Sequence, residues 1–160
     1  MKEIERIVAQ MRRVIEGDAW HGPSVTEIVG RVSTSGAAER PVAGAHTIWE
    51  LVLHMTSWTN EVRRRALGAH AAEPVEGDWP AMPAPSEEEW TKAKAALIDS
   101  HEGLCSTLAH FPASRLDEIV GDERSAPLGT GVSYYVMLHG LVEHHTYHAG
   151  QIALLAKALG

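Results

Sequence analysis

The segment Glu143-His144-His145-Thr146-Tyr147-His148-Ala149-Gly150-Gln151-Ile152 lies in a long apolar run that contains no proline. If this run is a helix, His144 and His148 are one turn apart and project from the same face. Two neutral imidazoles at this spacing can bind one transition-metal ion. The segment therefore predicts half of a metal site on a long helix.

The histidine pair continues an apolar stripe along the predicted helix, so we expect both side chains to point towards the core. The stripe consists of Met137, Leu141, His144, His148, Ile152, Leu155 and Leu159. A pair of core histidines held only by hydrogen bonds is the alternative interpretation. His145 lies about 100° around the helix from the stripe, which predicts that it points outward or towards a partner.

Length and composition indicate a single domain, residues 1–160, with an ordinary globular composition. The net charge of −7 argues against nucleic acid or an anionic membrane as a partner. No apolar run is long enough to span a bilayer. The single cysteine, Cys105, cannot form an intramolecular disulfide, and no secretory signal is visible, so we expect a cytoplasmic protein.

Apolar residues at helical spacing predict four long helices, and hence an all-α four-helix bundle. Three Ser/Thr-x-x-Glu capping boxes support the helix starts. The predicted long helices cover residues 1–17, 47–67, 87–110 and 132–159. A short helix is expected at 25–33, and loops at 33–44, 69–85 and 112–130, with a short strand or an irregular crossing at 116–120.

A third metal ligand should come from another helix, because two imidazoles leave a metal ion under-coordinated. His54, on the predicted second long helix, lies beside an apolar stripe and is the first candidate. His101, on the third, also lies on an apolar stripe and remains a rival. The metalloprotease motif His-Glu-x-x-His is absent, because His145 occupies the glutamate position.

Two stretches together resemble the DinB/YfiT-like family of metal-dependent enzymes: His139–Ile152 and Ile48–Trp58. The resemblance covers nearly the whole chain. It implies an up-down-down-up bundle, often a homodimer, and a divalent ion, zinc or nickel. Carried over by position, the ligands it implies are His54, His144 and His148. Some members of this family are thiol S-transferases that use a low-molecular-weight thiol, one branch isomerises maleylpyruvate, and many have no assigned reaction.

Three neutral histidines leave a coordination position open, which is typical of catalytic metal sites. We therefore expect a metal-dependent thiol S-transferase or hydrolase that acts on a small molecule. A non-catalytic metal-binding bundle, either a sensor or a structural dimer, is the alternative. No catalytic residue is assigned.

Five further residues have roles that the sequence leaves open. Glu50 and Glu61 could each be a base or a hydrogen-bond partner of a metal ligand, but we favour solvated carboxylates on the helix surface. Gln151 could orient a ligand, Tyr147 is expected to pack with a hydrogen-bonded hydroxyl, and Cys105 is expected to be an inert core thiol.

Overall fold

The computed structural model describes residues 2–160 and is mostly helical. The helices and strands are α1 Glu3–Glu16, α2 Val25–Val29, α3 Thr34–Ala38, α4 Ile48–Ala66, α5 Glu87–Ala109, a 3-10 turn Ala113–Arg115, β1 Ile119–Ser125, β2 Thr130–Ser133 and α6 Tyr134–Ala158. The four predicted long helices are thus present, with ends shifted by one or two residues. The short helix predicted at 25–33 ends at Val29 instead.

Each long helix after α1 begins at a hydroxyl side chain that accepts a backbone N–H. The Thr47 hydroxyl accepts the N–H of Glu50 at 3.1 Å, and the Glu50 carboxylate accepts the N–H of Thr47 at 2.7 Å. Ser86 and Ser133 accept the N–H groups of Glu89 and Val136 at the starts of α5 and α6, without the reciprocal carboxylate bond. These caps satisfy backbone donors that would otherwise have no partner, and so fix where each helix starts.

The long helices pack so that α4 contacts α5 and α6, and α1 contacts the same two helices. Two apolar clusters fill the space between them. One surrounds Trp49 and Trp90, whose rings are 5.1 Å apart, and the other surrounds Leu104 and Leu138. Buried polar side chains of α4 and α6, including His54 and His148, lie among these apolar residues.

Two segments differ from the sequence prediction. Residues 112–130 were expected to be turns with at most a short strand near 116–120, but β1 and β2 form an antiparallel hairpin, with Val120 opposite Val132. The predicted loop at 33–44 contains α3, which Ser33 caps through the N–H of Gly36. The hairpin leads directly into α6 and lies against the end of α4, where Arg65 donates to the carbonyl of Leu128 at 2.8 Å.

No helix among residues 2–160 is both long enough and apolar enough to cross a membrane.

Candidate metal centre

Helices α4 and α6 bring His54, His144 and His148 into one cluster. The Nε2 atom of His144 lies 2.8 Å from Nε2 of His54 and 3.1 Å from Nε2 of His148. His54 and His148 are each 5% exposed, and His144 is partly buried. The one-turn spacing on α6 and the mid-helix position on α4 thus place three imidazole nitrogens around a common point.

The backbone carbonyl of Asp78 sets the orientation of His54. It lies 2.6 Å from His54 Nδ1, and because a carbonyl can only accept, Nδ1 carries the proton. The neutral ring then presents an unprotonated Nε2 to the cluster. Asp78 lies in the loop between α4 and α5. Its carboxylate accepts the indole N–H of Trp58 at 2.7 Å, which connects this loop to α4.

Trp79 adds a second restraint on His54, because the two rings stack with centroids 3.9 Å apart. The other face of Trp79 stacks on His46 at 3.5 Å. His46 is therefore part of a three-ring stack that holds the His54 ring in place.

Gln151 orients His148. Its Oε1 atom accepts from His148 Nδ1 at 2.6 Å, so the Nε2 atom of this ring also faces the cluster without a proton. The contact matches the expectation that Gln151 orients a ligand. Partners of this kind fix the tautomer and the direction of metal-binding histidines in other proteins.

The donor set and spacing fit a divalent ion. Nitrogen ligands about 2.0 Å from one zinc ion are about 3.3 Å apart in a tetrahedral site. The Nε2 atom of His144 lies 2.8 and 3.1 Å from those of His54 and His148, close to this spacing. Without a cation, a proton on Nε2 of His144 can form a hydrogen bond to Nε2 of His54 or to Nε2 of His148, but not to both at once. A cation at the common point interacts favourably with all three lone pairs, which suits the arrangement better than a hydrogen-bonded core pair.

Burial keeps the cluster neutral. It lowers the pKa of His144 to about 2, helped by the proximity of His145, His148 and His54. Burial also lowers the pKa of His54 and that of His148, against the opposing effects of Asp78 and Gln151 respectively. Neutral imidazole is the metal-binding form, so the site is ready for a metal ion at neutral pH.

His145 does not point outward, and this expectation was wrong. The side chain is 1% exposed and its Nε2 atom lies 3.1 Å from the hydroxyl of Thr59. That hydroxyl donates to the carbonyl of Met55 at 2.7 Å, so His145 is the donor to Thr59. Its Nδ1 atom has no hydrogen-bond partner among residues 2–160. His145 is therefore a buried core histidine.

His101, the rival third ligand, lies away from the cluster. Its Nε2 atom is 3.2 Å from Glu16 Oε1 and 3.6 Å from Cys105 Sγ. Burial raises the pKa of the Cys105 thiol, which agrees with an inert core thiol.

The two carboxylates considered as bases are engaged elsewhere. Glu50 caps α4 and pairs with Arg40 at 2.8 Å. Glu61 is buried and pairs with Arg65 at 2.8 Å, so the reading of Glu61 as a solvated surface carboxylate was wrong. Tyr147, expected to pack, is 65% exposed instead.

Sequence reasoning missed Asp78 and Trp79, which support His54 from the loop between α4 and α5. The proline-bearing composition of that loop predicts an irregular connection, but nothing in it indicates which residue turns back onto α4. Sequence reasoning also did not predict that the β1–β2 hairpin forms one wall of the cavity beside His144.

The sequence model of the DinB superfamily matches residues 20–152, a range that contains all three clustered histidines. No significant match was found among curated proteins or among solved structures. The family match covers most of the chain and agrees with the helical architecture and the three-histidine cluster. The chain belongs to the DinB superfamily.

Proposed function

We propose that this protein is a metal-dependent enzyme in which His54, His144 and His148 hold a divalent ion, zinc or nickel. The observation that carries the proposal is the convergence of three Nε2 atoms, two of which are fixed as acceptors by Asp78 and Gln151. Three protein ligands leave a coordination position for a substrate or water.

A divalent ion held in this way supplies Lewis-acid activation of a water molecule or a thiol. The protein's own residues hold the imidazoles neutral and fixed, and the apolar walls next to His144 limit the access of water. Glu50 and Glu61 are committed to other contacts, so neither is placed to act as a general base. Thiol S-transfer from a low-molecular-weight thiol and hydrolysis both fit this site, since metal activation of a thiol or of water needs no carboxylate base.

Metal content tests the site directly. After dialysis, plasma mass spectrometry should find close to one ion per chain in the wild type and a sharp loss in His54→Ala, His144→Ala and His148→Ala. His145→Ala and His101→Ala are the matched controls and should keep the metal, provided that circular dichroism shows folded protein. If folded His54→Ala keeps full occupancy while His101→Ala loses it, the third ligand is on α5 and the assignment fails.

Activity separates the enzyme from the alternative, a non-catalytic metal-binding bundle that acts as a sensor or structural dimer. The metal-loaded wild type should consume an electrophile such as 1-chloro-2,4-dinitrobenzene in the presence of a low-molecular-weight thiol. His144→Ala should not accelerate that reaction. A protein that holds the metal but gives no turnover with a panel of electrophiles, thiols and hydrolysable esters would favour the non-catalytic reading.

We also propose a homodimer with the up-down-down-up helix order of the family. Apolar side chains on α6 support the dimer, because Val136, Tyr147 and Leu154 are 50%, 65% and 66% exposed. Trp20 is fully exposed as well. The single thiol, Cys105, supports a cytoplasmic setting.

A further inference from the structure

A cavity of about 340 Å³ lies beside the histidine cluster, between the β1–β2 hairpin, α4 and α6. This volume is within the range of small-molecule sites, about 300–1,000 Å³. Most of the lining side chains are apolar, and none is Asp or Glu; the apolar ones include Trp58, Val62, Leu128, Val132, Met137 and Leu141. Such walls suit an apolar group of a ligand.

The cavity and the proposed metal site share a wall. His144 lines the cavity, and so does Trp58, whose indole N–H binds the same Asp78 that orients His54. A molecule in the cavity therefore contacts His144, one of the three histidines of the proposed metal site.

Two arginines line the cavity, and only one has a carboxylate partner. Arg65 is 1% exposed, pairs with Glu61 at 2.8 Å and donates to the carbonyls of Leu128 and Ala72. Its charge is therefore neutralised within the protein.

Arg124 is exposed, and within the part of the chain that the structure describes it makes no ion pair. Its one hydrogen bond there is from Nη1 to the carbonyl of Thr130 at 3.1 Å, which leaves most of its five N–H donors for a ligand. A positive charge at the rim is distinctive in a chain whose net charge is −7.

The hairpin holds Arg124 at the rim through a close backbone approach. Gly131 has a φ of 69°, and a Cβ there would lie 2.5 Å from the Cα of Arg124. Only glycine fits this contact without moving the strand. The close approach thus fixes the backbone of Arg124, and the hydrogen bond to Thr130 holds its guanidinium at the rim.

We propose that this cavity binds a small amphipathic anion, with its apolar part between α4, α6 and the hairpin and its carboxylate on Arg124. The identification of this cavity as the substrate site rests on the proposed function, because the end of the anion opposite its carboxylate would lie beside His144. The substrate class is then an apolar carboxylic acid or a conjugate that carries a carboxylate.

The test uses two probes that differ only in charge, 4-phenylbutyrate and 4-phenylbutyramide, with binding followed by tryptophan fluorescence and by calorimetry. We expect millimolar binding of the carboxylate to the wild type, and about tenfold weaker binding of the amide, because only the carboxylate forms charge-assisted hydrogen bonds. Arg124→Gln should remove this preference, whereas Arg13→Gln, a matched change at an exposed arginine on α1, should keep it.

A second pair of variants tests whether the probes bind in this cavity. A Cβ at Gly140 or Gly150 would meet no atom within 4 Å, and both residues lie inside α6, so a side chain can be added at either position without a clash at Cβ. Gly140 lines the cavity and Gly150 does not. Gly140→Leu should abolish binding of both probes, and Gly150→Leu should leave it unchanged.

Any of three results would overturn the inference. They are equal binding of the two probes to the wild type, no binding of either probe to the wild type, and unchanged binding in folded Gly140→Leu. Metal content is measured on every variant, and each titration is run with and without added zinc. If metal-loaded protein shows no preference for the carboxylate, the assignment of the cavity as an anion site is refuted, and the proposed metal site is not. A protein that prefers the carboxylate but never retains metal supports the anion site and refutes the proposed function instead.

Discussion

Replacement of His145 by leucine should reduce the sensitivity of the protein's stability to acid. His145 is 1% exposed, and burial lowers its pKa from 6.5 to about 3, with nearby histidines adding to the effect. Below about pH 6.5 the unfolded chain binds a proton that the folded chain rejects. The stability contributed by the neutral imidazole is therefore complete above this pH and is lost as the pH falls towards 3.

The magnitude follows from proton linkage. Between about pH 7 and pH 5, a group with a pKa near 6.5 in the unfolded chain and about 3 in the folded protein lowers the free energy of unfolding by about 2 kcal/mol. Leucine binds no proton, so this loss disappears. The substitution leaves the Thr59 hydroxyl bonded to the carbonyl of Met55, so it should change stability little at pH 7.

The assay is urea unfolding followed by circular dichroism at pH 7 and pH 5, with a chelator present because metal binding has its own pH dependence. His21→Leu is the matched control, because that side chain is exposed in the folded protein and also in the unfolded chain. The wild type and His21→Leu should each lose about 2 kcal/mol more than His145→Leu over this pH interval. An equal loss in all three proteins would refute the burial of a neutral His145.

Three further predictions test other contacts. Gln151→Leu should weaken metal affinity by about 10- to 100-fold in a chelator competition without loss of fold, because it removes the acceptor that orients His148; unchanged affinity would contradict that role. Glu61→Gln should lower the free energy of unfolding by about 3–5 kcal/mol in urea titrations, because it leaves the buried Arg65 charge unpaired; a loss below about 1 kcal/mol would show that water reaches the arginine. Leu154→Glu should shift sedimentation at micromolar concentration from dimer to monomer, and a wild type that is already monomeric would contradict the proposed dimer.

The long helices were predictable because their signals are local. Thr47 forms a complete capping box with Glu50 at the start of α4, and Ser86 accepts the N–H of Glu89 at the start of α5. Apolar residues at helical spacing follow in both helices. The hairpin lacked such a signal. Its pairing joins Val120 to Val132 across a turn, and Ile119 at its start is 60% exposed, so no alternation of apolar and polar residues marks it.

The error at His145 has a geometric cause. The angle of about 100° between His144 and His145 was correct, but the inference that a residue off the stripe faces solvent assumed one buried face on α6. This helix packs against α1 on one side and α4 on another, so its buried sector is wide. His145 and His148 both fall within it, and the partly buried His144 lies at its edge, beside the cavity.

The contacts around His54 show why the cluster could be only partly predicted. The helical spacing of His144 and His148 follows from the sequence, but the direction of the His54 ring depends on Asp78 and Trp79, which lie more than twenty residues further along the chain. Because the Asp78 carbonyl fixes the tautomer and Trp79 restrains the ring, the orientation of His54 depends on the folding of this loop onto α4. The affinity of the proposed site is therefore coupled to the order of a segment that contributes none of its ligands.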